Sequence, residues 1–98
     1  AAAPVAVRQP TARILLRAAR QRLRAGGRTV LRGTATGVEA RRVRIEARVG
    51  SAWRLVVAVP IGDDGAFSTP VQLPVAGGYD VRARAGEVRS RIVRLVAR

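Results

Sequence analysis

Alternation of apolar and polar positions with a period of two runs through most of this chain. Its clearest instance is Val43, Ile45, Ala47 and Val49, which alternate with Arg42, Arg44, Glu46 and Arg48. That is the pattern of a strand with one face in a core and the other in water. The same reading predicts strands at 29–35, 53–59, 67–73, 79–85 and 90–98. Turn residues separate them: Gly50-Ser51-Ala52, Gly62-Asp63-Asp64-Gly65 after Pro60, and Gly86-Glu87. Pro70 falls on the outward side of its strand, which suits an edge, because proline cannot donate to a ladder.

The first quarter of the chain is less regular. Pro4 and Pro10 exclude a regular helix over 1–10, and Val5 and Val7 alternate with Ala6 and Arg8, so an extended arm is expected. Residues 11–25 admit two readings. Thr11 could cap a helix with Leu15, Ala19 and Leu23 on one face and Gly26-Gly27 as its stop. Ile14-Leu15-Leu16 could equally be a buried strand. With that segment counted as strand there are about seven short strands, with turn signals every 8–12 residues. The pattern predicts an all-β antiparallel sandwich or barrel over 12–98, preceded by an arm at 1–11.

The chain has 98 residues, a net charge of +13, no His and no Cys. Every cation is Arg. One small domain is expected, with a core just large enough to be stable without disulfides. The missing His and Cys remove most zinc, haem and iron–sulfur sites and the usual nucleophile–base pairs. Ser51, Ser68 and Ser90 have no His or Lys to activate them. Asp63 and Asp64 are adjacent in a turn and point apart, and two carboxylates fall short of the six to eight oxygens calcium takes. No catalytic residue, cofactor, metal or small-molecule substrate is expected.

The charge itself predicts attraction to polyanions. Residues 1–50 carry twelve Arg against two Glu, a net of +10, and residues 51–98 a net of only +3. If the third, sixth and seventh strands share a sheet, Arg42, Arg44, Arg48, Arg82, Arg84, Arg94 and Arg98 form one cationic outer face, diluted by Glu46 and Asp80. The longest apolar run is residues 55–61, too short to span a bilayer.

Several pieces, taken in order, carry a resemblance. They are the run Gly26-Gly27-Arg28-Thr29-Val30-Leu31-Arg32-Gly33-Thr34, Val43-Arg44-Ile45, Gly50-Ser51-Ala52-Trp53, Asp64-Gly65-Ala66-Phe67, Gly77-Gly78-Tyr79-Asp80-Val81-Arg82, and Ser90. Together they resemble the bacterial immunoglobulin-like, fibronectin type III-like modules of secreted and cell-surface proteins. The resemblance covers residues 12–98. It implies an immunoglobulin-like β-sandwich, usually a non-catalytic spacer, adhesion or assembly module. Trp53 and Phe67 would be core anchors, and Tyr79 would form a tyrosine corner at the start of the penultimate strand. The added N-terminal arm and the Arg density depart from a plain spacer.

Residues 55–59 and 92–96 are more apolar than one sandwich can hide, because a two-layer sandwich buries one face of each strand. A cover is therefore expected, from neighbouring domains or from a second copy. The residues expected to assemble are Val5, Val7, Ile14, Leu15, Leu16, Val56, Ala58, Ile92 and Val96, with the arm adding a strand either to its own sandwich or to a neighbour's. A head-to-tail contact of that kind would grow a filament if it did not close. The expected function is a structural, self-assembling module of an extracellular or cell-surface protein. The alternative is a polyanion-binding module, for nucleic acid or acidic glycan, using the Arg-rich face.

Overall fold

The computed structural model describes residues 12–98. It is all-β, with nine strands in two sheets. In chain order they are β1 (Arg13–Ala18), β2 (Arg22–Leu23), β3 (Arg28–Thr36), β4 (Arg42–Val49), β5 (Ala52–Pro60), β6 (Ala66–Gln72), β7 (Gly77–Ala85), β8 (Val88–Arg89) and β9 (Val93–Ala97). The smaller sheet has the order β1-β3-β6, and the larger β2-β9-β7-β4-β5, with β8 paired to β7. Seven strands have five residues or more; β2 and β8 are two-residue additions to the larger sheet.

Residues 11–25, open between helix and strand in the sequence, form no helix where described: they hold β1 and β2, joined by a bend. β1 pairs antiparallel with β3 along its whole length, from Arg13 opposite Thr36 to Ala18 opposite Leu31. β2 then crosses to the larger sheet and runs parallel to β9. A helix of this length is marginal in water without tertiary packing. The strand form gains a full ladder with β3 and buries Ile14, which outweighs the local helical spacing. The arm at 1–11, with Val5 and Val7, lies outside the described residues.

The core lies between the sheets. Leu31 comes from β3, Val43 and Ile45 from β4, and Leu95 from β9, all fully buried. Phe67, Val71, Val81, Ala83 and Val93 pack around them. Glycine is required at Gly33, in the middle of β3. It pairs with Leu16 on one side and Phe67 on the other. A Cβ there would collide with the Leu15 carbonyl oxygen and the Phe67 ring. The buried Ser90 bridges the break between β8 and β9: its Oγ accepts from Ala83 N–H at 2.8 Å and donates to the Arg91 carbonyl at 2.9 Å.

One irregularity sets the faces of β5. Its register to β4 shifts between Ile45 and Glu46, so that Val57 opposes Ile45 while Leu55 opposes Glu46. Val56 is the extra residue of this β-bulge. A one-residue insertion exchanges the faces of everything on one side of it. Val57 and Val59 therefore face inward, while Trp53 and Leu55 share the outer side with Arg48 and Glu46.

Candidate functional site

The outer face of the larger sheet gathers six of the seven arginines expected there. Arg42, Arg44 and Arg48 come from β4, Arg82 and Arg84 from β7, and Arg94 from β9. Cross-strand register places Arg84 beside Arg44, Arg82 beside Glu46 and Arg48 beside Asp80, with Arg94 on the other side of Asp80. The two acids sit among these cations and bind them. Arg82 Nε donates to Glu46 Oε1 at 2.9 Å, and an Arg84 nitrogen lies 3.9 Å from Glu46 Oε2. Arg48 donates to Asp80 Oδ2 at 2.5 Å and Arg94 to Oδ1 at 3.1 Å. The hydrogen bond from Arg48 holds the Asp80 carboxyl below its ordinary pKa of 3.8, with the charges of Arg48 and Arg94 acting in the same direction against the cost of burial.

Trp53, expected as a core anchor, lies instead on this outer face and is half-buried. The bulge at Val56 is the reason: alternation counted straight through β5 puts Trp53 on the same side as Val57 and Val59, and the inserted residue reverses it. The ring is covered by guanidinium groups. The Arg82 guanidinium carbon lies 4.0 Å from its centroid and that of Arg48 5.3 Å. The centre of the face is therefore an interlocked set of Arg48, Arg82, Glu46, Asp80 and Trp53. Arg42, Arg44 and Arg94 are the more exposed members around it.

Arg98 does not join that face. It follows β9 at one end of the sandwich and lines an open concavity of about 530 Å³ with Arg20, Arg22, Arg24 and Arg28. Alternation along strands could not find this cluster, because its members come from two strand termini, two connections and the residue after β9. The only signal in the sequence was the net charge of the first half.

The apolar residues expected to drive assembly do not form one surface. Ile14 is a core residue of its own sandwich, at 4% exposure. It therefore does not serve as an exposed contact, because the β1–β3 pairing directs it inward. Leu15 is exposed on the outer side of the smaller sheet, and Leu16 packs partly against the core. Ile92, ahead of β9, is exposed, and Val96 is half-buried beside Arg22. Val56 and Ala58 belong to β5, at the opposite edge of the larger sheet from β2.

Among the described residues β5 pairs with β4 alone, so one edge of this nine-residue strand is open. Leu55 and Val56 stand at that edge with 58% and 51% exposure. Beneath Val56 the sheets leave an apolar cleft of about 180 Å³, walled by Ile45, Ala47, Val71, Leu73, Tyr79, Val81 and Leu95 among others.

Tyr79 is half-buried near the start of β7. Its hydroxyl donates to the Val75 carbonyl at 2.5 Å and accepts from the Val75 N–H at 3.3 Å. Phe67 is buried in the core.

Among the described residues no three His, Cys, Asp or Glu side chains converge on a metal-sized site. No described helix is long and apolar enough to cross a membrane. The chain matches no known protein-family model and no curated protein.

Proposed function

We propose that the protein is a non-catalytic, immunoglobulin-like structural module of an extracellular or surface protein, which assembles with further copies of itself by strand addition. The observation that carries this reading is the edge of β5, unpaired among the described residues, with Val56 exposed above an apolar cleft and Leu55 exposed on the outer face beside it. Unpaired edge strands accept a further strand readily, and natural sandwiches usually blunt them with charge or proline. Here the central part of the edge, Leu55 to Ala58, is wholly apolar.

The occupant we assign to this edge is the 1–11 segment of a neighbouring copy. Val5 and Val7 are two residues apart, so in an extended segment both point to one side, as a strand laid over the cleft requires. The described chain begins beside β1, which packs over β7, β8 and β9, whereas β5 lies under β6 at the other side of the sandwich. With β1 at one side and the ladder of β5 unpaired among the described residues at the other, donation from one copy to the next would be a head-to-tail contact, which propagates unless the rotation closes it. The sharing of one sheet by β4, β7 and β9, together with the Tyr79 corner, supports the immunoglobulin-like reading.

Sedimentation velocity over a concentration series tests the proposal. The full chain is expected to associate as concentration rises. A variant lacking residues 1–11 and the variant Val56→Lys are each expected to sediment as folded monomers with an unchanged β-type circular dichroism spectrum. A full chain that stays monomeric throughout, or association that survives both changes, overturns it.

A further inference from the structure

We infer that the Arg-lined end of the sandwich is a binding site for a short run of phosphate groups. The site is formed by Arg20 in the β1–β2 connection, Arg22 on β2, Arg24 in the β2–β3 connection, Arg28 at the start of β3 and Arg98 after β9, with Leu23 and Gly27 between them. It is distinct from the outer sheet face, whose central arginines are already held by Glu46 and Asp80.

Three observations lead there. The first is charge segregation. The chain has six acidic side chains. Glu46 and Asp80 are engaged on the sheet face. Glu39, Asp63, Asp64 and Glu87 lie in the β3–β4, β5–β6 and β7–β8 connections, at the other end of the strands. None of the five guanidinium groups has a carboxylate partner among the described residues. Five like charges around one concavity repel one another, and an anion bound between them relieves that repulsion.

The second observation is a fixed backbone. Arg20 is clamped to the buried Thr29: its N–H donates to Thr29 Oγ1 at 2.9 Å, and that hydroxyl donates back to the Arg20 carbonyl at 3.0 Å. Arg98 N–H donates to the Leu23 carbonyl at 2.9 Å, and Ala25 N–H to the Arg98 carbonyl at 2.8 Å. Gly27 N–H closes the turn on the Arg24 carbonyl at 2.8 Å, with Gly26 at φ 83°. The Cα positions of the cluster are thus tied together from three separate parts of the chain.

The third is stoichiometry and shape. Each further copy of this chain brings a net +13 of its own, so self-association leaves the total charge short of anions. Guanidinium forks match the oxygens of phosphate in bidentate geometry and stay charged at every physiological pH. No aromatic side chain lines the concavity, so it has no platform for stacking bases. The ligand chemistry is therefore a linear phosphate polyanion held through its oxygens alone.

Titrating the full chain with inorganic tripolyphosphate, followed by ¹H–¹⁵N correlation spectra, tests this. Shifts are expected to concentrate at residues 20–28 and 98, with affinity falling steeply as salt rises. The double variant Arg24→Gln/Arg28→Gln is expected to lose at least tenfold in affinity, and the sheet-face pair Arg44→Gln/Arg84→Gln less than twofold. Oligothymidylate of matched charge should compete for the same residues no better than tripolyphosphate; much tighter binding through bases would replace the proposal with a nucleic-acid site. Shifts spread over the sheet face, or equal losses in the two double variants, would overturn it, as would tripolyphosphate binding no tighter than sulfate.

Discussion

Arg82 lies over Trp53, its guanidinium carbon 4.0 Å from the ring centroid, while its Nε donates to Glu46. One side chain thus joins three strands: β7, which carries it, β4 through Glu46 and β5 through Trp53. The indole gains a cationic cover, and the cation gains both a carboxylate and a π face.

Replacing Trp53 by Ala should cost about 1–2 kcal/mol in urea unfolding, from the lost stack and the apolar area it shields. Trp53→Phe should recover part of that loss. Trp53 is the sole tryptophan, so its emission follows the wild-type transition directly, and circular dichroism follows the variants. A Trp53→Ala protein as stable as wild type would show that the stack contributes nothing.

Glu46 is nearly inaccessible and faces Arg82 and Arg84. Glu46→Gln keeps the shape and removes the charge. Chemical denaturation should show a loss of about 1.5–3 kcal/mol, the range for hydrogen bonds to charged groups. A surface ion pair would give a loss close to zero.

Asp80 supplies a pH dependence. Its folded-state pKa lies below the ordinary value because Arg48, then Arg94, favour the ionised form. The stabilisation is therefore present above the unfolded-state pKa near 3.8 and disappears as pH falls through the lower folded-state value. Thermal unfolding of wild type and Asp80→Asn should differ at neutral pH and converge under acid conditions below about pH 4. A difference that persists unchanged into strong acid would contradict the sign argued here.

Gly33→Val should destabilise by about 1–3 kcal/mol through overpacking against Phe67 and the Leu15 carbonyl. The companion change Phe67→Leu should reduce the additional cost of Gly33→Val, a coupling readable in a double-mutant cycle.

Tyr79→Phe removes both hydroxyl contacts to Val75 and leaves the ring in place. The expected loss is about 1 kcal/mol. Faster amide exchange should be confined to the β6–β7 connection.

The strands of this protein were legible because period-two alternation follows directly from the pleat. Arg42 to Val49 reads as a strand in the sequence and is one in the structure, and Pro70 does lie on an edge strand. Residues 11–25 were not legible, since Ile14-Leu15-Leu16 satisfies both a helix and a strand and only the pairing with β3 separates them. Trp53 was misplaced for a related reason. Nothing in Leu55-Val56-Val57-Ala58-Val59 marks which residue the bulge inserts, and one insertion reverses the parity of the strand on one side of it.

The candidate surfaces divide in the same way. The sequence by itself determined that an Arg-coated all-β chain would set most of its cations on the polar sides of strands, because side-chain direction along a strand is local geometry. Only the tertiary structure decided which charges meet. It brought Glu46 to Arg82 and Asp80 to Arg48 across 36 and 32 residues, withdrew Ile14 into the core, and left the outer edge of β5 without a partner among the described residues. It also drew Arg20, Arg22, Arg24, Arg28 and Arg98 to one end with no acid among them. Those relationships depend on strand order and register, which are settled by burial and hydrogen bonding between distant segments, and local alternation carries no record of either.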